Sequence, residues 1–216
     1  MNLKIETIKG LFCGLIFLLS FQIYGQEKFK TDGRVNLNLG FGFGINNLSN
    51  NQAGDKDGAA LTGTFKLGAD YGFTKLISGG IVLFRNGFAT NKDSSERASI
   101  AGFGIYGNLN FYRGKSTVWF WQLGFGGSQF TYENFKSNGK LTASGAYIVT
   151  GLGFRKYFGD HVGFFSNLNL AGYNYNQFKL SDGQIFKTPS GNDFQLGLTS
   201  VEFNIGIVVA LGKNED

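Results

Sequence analysis

Large apolar residues alternate with small or polar residues along most of this chain. Between Val35 and Ile45, every odd position holds a large apolar residue and every even position holds asparagine or glycine. Successive side chains of a β-strand point to opposite faces, so this segment has one apolar face and one small, polar face. Seven further segments repeat the pattern, and no segment after residue 25 is typical of a helix. The pattern predicts an all-β protein.

The alternation predicts eight strands. Their bounds are 35–45, 61–73, 77–88, 99–112, 117–131, 142–157, 162–176 and 194–211. In the less regular third strand, we assign to the apolar face Val82, Phe84 and Phe88. In the seventh strand, we assign to it Phe165, Ala171, Tyr173 and Tyr175.

The connections between these strands alternate in length. The short ones lie at 74–76, 113–116 and 159–161, and the long ones at 46–60, 89–98, 132–141 and 178–193. An even number of strands, with short turns at one end and longer loops at the other, is typical of outer-membrane barrels. We therefore predict an eight-stranded antiparallel up-and-down transmembrane β-barrel.

A soluble eight-stranded barrel, such as a secreted lipocalin-like binding protein, is the alternative, because its strands alternate in the same way. Only six charged residues fall among the 114 residues of the predicted strands, against 26 among the other 77 residues after residue 25. A soluble barrel would carry lysine and glutamate along its outer face. Here the other face holds mainly glycine, asparagine, serine and threonine, which suit a narrow interior. This distribution favours a barrel whose large side chains face lipid, where a closed sheet satisfies every backbone group.

The first 25 residues are typical of a secretory signal peptide. Lys4 and Lys9 give the N-terminal region a positive charge. An apolar run of eleven residues extends from Leu11 to Phe21, and the small residue Gly25 follows it. A membrane anchor is the alternative, but a spanning helix needs about 20 apolar residues. We predict cleavage after Gly25, which leaves residues 26–216 as the barrel. The only cysteine, Cys13, would leave with the signal peptide.

The charge balance after residue 25 argues against a nucleic-acid partner. This part of the chain has 18 lysine and arginine residues and 14 aspartate and glutamate residues, a net charge of +4. A nucleic-acid-binding protein needs a basic run or a basic face, and the chain has neither.

With this pattern, the chain resembles the small eight-stranded outer-membrane barrels of the OmpA/OmpX type, in the glycine- and asparagine-rich style of bacterial outer membrane beta-barrel proteins. The resemblance covers the whole of residues 26–216. It implies residence in the bacterial outer membrane, contact with lipopolysaccharide and phospholipid, and other envelope proteins as partners. It also implies a structural or interaction role without catalysis. The alternative function is a narrow channel or a conduit for small hydrophobic molecules.

Five charged residues of the strands are assigned to the lumen. They are Lys66, Asp70, Arg85, Arg155 and Glu202. Eight strands enclose an interior that side chains just fill, and an unpaired charge there would cost several kcal/mol. We therefore predict an ion-pair network across the barrel, which acts either as a structural filling or as a gate.

Three aromatic residues are assigned to a girdle at the periplasmic interface, where such residues are enriched. They are Tyr112, Trp119 and Trp121, which lie at or near the start of the fifth predicted strand.

Three further motifs carry no predicted chemistry. The sequence Gly102–Gly107 matches G-x-G-x-x-G but lacks the following helix that a dinucleotide site requires. Asp55–Gly58 resembles half of a calcium loop, without its bidentate glutamate. His161, the only histidine, falls at a short turn, where a role in the turn is expected rather than nucleophilic catalysis on lipid A or phospholipid. We predict no cofactor and no metal.

Overall fold

The computed structural model describes residues 29–51, 58–89, 96–134, 136 and 139–212. The predicted signal peptide and most of the Asp55–Gly58 turn lie outside these residues. The strands are β1 (Val35–Asn50), β2 (Gly58–Gly72), β3 (Ile77–Phe88), β4 (Glu96–Arg113), β5 (Thr117–Asn134), β6 (Gly139–Phe158), β7 (Val162–Asn176), β8 (Lys179–Leu180) and β9 (Gln195–Leu211). In the described part of the chain, no helix is long and apolar enough to cross a membrane.

Eight of the strands form one closed antiparallel sheet. Each of the strands β1 to β6 pairs with the next along the chain, β7 pairs with β9, and β9 pairs with β1 to close the ring. The two-residue β8 lies outside the ring and pairs with the beginning of β6, where Leu141 faces Leu180. The predicted all-β, eight-stranded, up-and-down barrel is confirmed.

The strands are longer than predicted at one end of the barrel only. At the end with short turns, the observed bounds agree with the predicted ones to within about one residue. At the other end, β1 continues to Asn50, and the β5–β6 pair continues to Asn134 opposite Gly139. The predicted connections 46–60 and 132–141 are therefore too long. The apolar alternation stops where polar residues begin, but the backbone hydrogen bonds continue past that point.

The outer wall of the barrel is apolar. Large side chains on alternate residues of every barrel strand are exposed, including Phe43 at 63 %, Ile81 at 61 % and Phe103 at 66 % of their full area. The inner wall instead buries asparagine, serine and threonine side chains, such as Asn46, Asn204 and Ser200. Because soluble proteins rarely expose a continuous apolar surface of this kind, the wall is suited to lipid.

The face assignments of the third and seventh predicted strands were wrong. In β3, Ile81 and Leu83 form the exposed face, whereas Phe84 is buried and Val82 and Phe88 are partly buried on the inner side. In β7 the exposed residues include Leu168 and Leu170. The four residues that we assigned to its apolar outer face are all buried inside: Phe165, Ala171, Tyr173 and Tyr175. Both strands carry apolar residues at odd and even positions, so only the register with neighbouring strands decides which set faces outward.

Candidate functional site

Two buried ion pairs cross the lumen, and the first joins Asp70 of β2 to Arg155 of β6. The guanidinium donates two hydrogen bonds to the carboxylate, from Nη2 to Oδ2 at 2.7 Å and from Nη1 to Oδ1 at 3.2 Å. Three further donors complete the shell of Asp70: the side chains of Asn36, Asn38 and Tyr106, at 3.0 to 3.1 Å. A buried bidentate pair with this many extra hydrogen bonds holds both charges in fixed positions.

The second ion pair joins Lys66 of β2 to Glu202 of β9. The ammonium Nζ lies 2.6 Å from Oε2 of the carboxylate. The other oxygen, Oε1, accepts hydrogen bonds from Tyr173 at 3.0 Å and from Asn86 at 3.2 Å. Glu202 is fully buried, so its charge depends on these partners.

The fifth predicted lumen residue, Arg85, does not join the network. Its side chain is exposed on the outer wall of β3, between the inward-facing Phe84 and Asn86. The assignment to the lumen was wrong because β3 has apolar residues at both odd and even positions, so the sequence pattern alone does not identify its outward face. The structure thus brings together four of the five predicted charges.

A small cavity lies between the two ion pairs. Its volume is about 60 Å³, and Lys66, Arg155 and Glu202 are among the residues that line it. Tyr147 also lines it, and the hydroxyl of this buried residue has no hydrogen-bond partner within the described chain. Charged side chains line this cavity together with apolar ones, and its volume has room for a few water molecules, at roughly 10–15 Å³ each.

Aromatic side chains fill the lumen at the long-loop end. Tyr175 and Phe130 are buried there with ring centres 5.7 Å apart, and Phe178 packs on Phe130 from the loop that follows β7. Phe194, at the other end of that loop, packs on Phe178 with ring centres 5.1 Å apart. The loop of residues 177–194 therefore covers this end of the barrel.

Glycines on the inner wall make room for these large rings. A Cβ atom on Gly102 would overlap the ring of Phe84, and one on Gly104 would overlap Tyr147. The G-x-G-x-x-G motif of β4 thus contains two glycines that accommodate aromatic rings from β3 and β6.

Residues 29–34, which we call the strap, cross the short-turn end of the barrel. Phe29 stacks on Tyr157 with ring centres 4.0 Å apart, and its amide donates to the carbonyl of Gly114 at 2.9 Å. Thr31 Oγ1 donates to the carbonyl of Lys75 at 2.8 Å, and Arg34 donates to the carbonyl of Asp160. The strap is thereby tied to all three short turns.

Arg34 connects the strap to the first strand. Its guanidinium lies 4.7 Å from the centre of the Phe29 ring, and burial lowers its pKa from the ordinary value. Sequence analysis missed the strap because it precedes the alternating pattern. The only signal in the sequence is an aromatic residue followed, five positions later, by an arginine directly before β1.

The predicted girdle residues lie on or near the outer wall at the short-turn end. Trp119 and Trp121 of β5 are both about two-fifths exposed, and Trp121 Nε1 donates to Thr150 Oγ1 at 2.9 Å. Tyr112 of β4 pairs with Trp119, beside a register shift that skips Phe111. Such amphipathic rings suit the boundary between lipid tails and water.

His161 lies in the exposed turn between β6 and β7. Its Nδ1 atom is 2.9 Å from the carbonyl oxygen of Ala210, which fits a role in fixing the turn against β9. Within the described ranges, no three histidine, cysteine, aspartate or glutamate side chains are placed to hold a metal ion.

A closed antiparallel barrel of eight strands with an apolar outer wall and aromatic residues at one rim is the architecture typical of small outer-membrane β-barrels. No protein-family model matches the sequence, and no curated protein matches it.

Solved structures of the same architecture are similar to this chain. The attachment invasion locus protein Ail of Yersinia pestis is 11% identical, with 83% of this chain and 99% of that chain covered and a TM-score of 0.44. The outer membrane protein OprG from Pseudomonas aeruginosa is 14% identical, with 85% and 98% covered and a TM-score of 0.47. The outer membrane protease OmpT from Escherichia coli is 8% identical, with 87% and 99% covered and a TM-score of 0.38. At this level of similarity they carry no argument about function.

Proposed function

We propose that this protein is exported with a cleaved signal peptide and resides in the bacterial outer membrane as a closed, non-catalytic barrel. Its role would be structural or interactive: it would support the envelope or serve as an accessory subunit of a membrane complex. The observation that carries the proposal is that the lumen is occupied along its length. The strap covers one end, two ion pairs cross the middle, and aromatic rings with the loop 177–194 cover the other end.

The loops at the long-loop end are the parts best suited to bind a partner. The loop 177–194 contains two compact turns, closed by hydrogen bonds from Leu180 N to Gln184 O and from Thr188 N to Asn192 O. It is also tied to the end of β1, because Asn51 Nδ2 donates to the carbonyl of Asp193 at 2.9 Å. A preformed loop loses little conformational entropy on binding, which favours recognition by another envelope protein.

A narrow channel is the second candidate function. The cavity between the ion pairs supports it, since a rearrangement of Lys66 and Glu202 would join this space to the rest of the lumen. Recordings of refolded residues 26–216 in planar lipid bilayers separate the two. The closed barrel gives no single-channel steps, whereas a channel gives steps that the substitution Glu202→Gln alters.

Extraction of the native membrane in a mild detergent tests the interaction role. A complex on a native gel that is much larger than a single chain, with the same co-migrating proteins in repeated preparations, supports it. A band near the mass of the chain alone would contradict the role of accessory subunit.

A further inference from the structure

Arg85 is a charged residue that is exposed on the largely apolar outer wall of the barrel. On the outer wall its cross-strand neighbours are Phe65 of β2 and Ala101 of β4, and Leu83 precedes it on the same face. Its guanidinium has no hydrogen bond or ion pair within the described residues. Lys156, the other cation of the predicted strands that faces outward, donates to Ser116 Oγ at 2.7 Å. Arg85 has no such partner among the described residues, and a partner from the surroundings of the wall would complete it.

The position of Arg85 along β3 gives its depth within the apolar band of the outer wall. It lies eight residues beyond Ile77, the first residue of β3. At roughly 3.3 Å per residue, this is about 26 Å along the strand, or about 20 Å across the membrane for a strand tilted by about 40°. An outer-membrane barrel has an apolar band about 25 Å tall. With Ile77 at the lower edge, Arg85 lies in the upper part of the band, on the side of the long loops.

The wall beyond Arg85 has a shallow notch. Three small residues lie side by side on β2, β3 and β4, two residues along the strand from Arg85 toward the long loops. They are Gly63, Gly87 and Ser99. A Cβ atom on Gly63 or Gly87 would meet nothing within 4 Å. The long arginine side chain therefore has open space to extend toward the headgroup region while its stem stays on the apolar wall.

We propose that Arg85 and the notch of Gly63, Gly87 and Ser99 bind a phosphate group of an outer-leaflet lipid. The inference rests on the proposed outer-membrane location. A guanidinium near the edge of the apolar band is costly without an anion, and phosphate accepts two parallel hydrogen bonds from arginine. The glycines and the serine let the phosphate and its sugar or glycerol lie close to the wall.

Retention of lipid A by the refolded barrel tests this site. The wild-type chain and its variants are folded into phosphatidylcholine vesicles that contain lipid A with its phosphates, and into matched vesicles with dephosphorylated lipid A. The barrels are then extracted in a mild detergent, and the lipid A bound per folded barrel is measured by native mass spectrometry. The folded fraction is measured separately from the resistance of the barrel to protease.

Arg85→Gln is expected to retain about tenfold less phosphorylated lipid A, the loss that follows when one charge-assisted bidentate contact is removed. Gly87→Leu fills the notch without changing the charge and is expected to reduce retention as well. The matched control is Lys156→Gln. Lys156 is a cation on the same wall near the short turns, where it donates to Ser116 Oγ at 2.7 Å, and its loss should leave retention unchanged.

Two results would overturn the proposal: equal retention by wild type, Arg85→Gln and Gly87→Leu, or equal retention of lipid A with and without phosphates. If Arg85→Gln does not fold, Gly87→Leu decides alone. A wild-type chain that does not insert into vesicles at all would instead contradict the proposed membrane location, so the two failures are distinguishable.

Discussion

At the scale of single residues, the buried charges are the most sensitive points of this structure. The carboxylate of Asp70 accepts five hydrogen bonds, two of them from Arg155, and both side chains are almost completely buried. Removal of one member of such a pair leaves the other charge buried without compensation.

Asp70→Asn is expected to lower the free energy of unfolding by about 3–5 kcal/mol, because Arg155 loses its counter-charge. Urea unfolding of the refolded barrel in lipid vesicles measures the change. Lys140→Gln is the matched control, since Lys140 pairs with Glu133 at 3.0 Å on the exposed surface, where a pair contributes about 1 kcal/mol or less. Equal effects of the two substitutions would contradict the description of the network.

The inner-wall glycines give a second prediction at this scale. Gly104→Ala is expected to destabilise the barrel by about 1–3 kcal/mol, because the added methyl group overlaps Tyr147. Gly107→Ala on the same strand is the control. It faces outward, and a Cβ there would lie 3.9 Å from its nearest neighbour, so this substitution should be neutral or slightly stabilising. Thermal unfolding of both variants measures the difference, and a stable Gly104→Ala barrel would show that the rings are not packed as described.

At the scale of elements, alternation predicted the strands well because the period of two is a local property of sequence. The same alternation assigned four charged residues correctly to the lumen: Lys66, Asp70, Arg155 and Glu202. The alternation gave the wrong face for Arg85, because β3 has apolar residues at both odd and even positions. Its outward face is set instead by its register with β2 and β4. The extra length of β1, β5 and β6 was missed because polar residues carry those strands beyond the apolar band.

The strap could not be predicted from local pattern. Its contacts join residues 29–34 to turns more than 40, 80 and 120 positions away along the chain, at Lys75, Gly114 and Asp160. Such contacts depend on closure of the whole barrel, which brings the three turns to one end.

Phe29→Ala is expected to lower the free energy of unfolding by about 3 kcal/mol, since it removes a buried ring that packs on Tyr157 and Arg34. Hydrogen exchange at the three short turns should increase at the same time. Lys75→Ala is the control, because it keeps the carbonyl that accepts from Thr31 and removes only an exposed side chain. Unchanged exchange in Phe29→Ala would mean that the strap does not hold the turns.

At the scale of the whole molecule, the protein has an apolar outer wall and an interior in which polar side chains lie among aromatic rings. Each of the eight barrel strands is paired on both sides in the closed ring, and the interior is filled by two ion pairs between groups of buried aromatic rings. This arrangement is stable only if lipid covers the outer wall.

Methyl NMR of the refolded barrel in bilayers, with a spin label dissolved among the lipid tails, tests this claim most directly. Ile45, Ile81 and Ile207 are more than half exposed on the outer wall, whereas Val118, Val208 and Leu198 are buried inside. Lipid against the outer wall should strongly broaden the first three methyl signals and leave the second three nearly unchanged, even for the neighbours Ile207 and Val208. Equal broadening of both sets by the lipid-soluble label would contradict a lipid-facing outer wall. Broadening of the outer set by a water-soluble relaxation agent instead would contradict it as well.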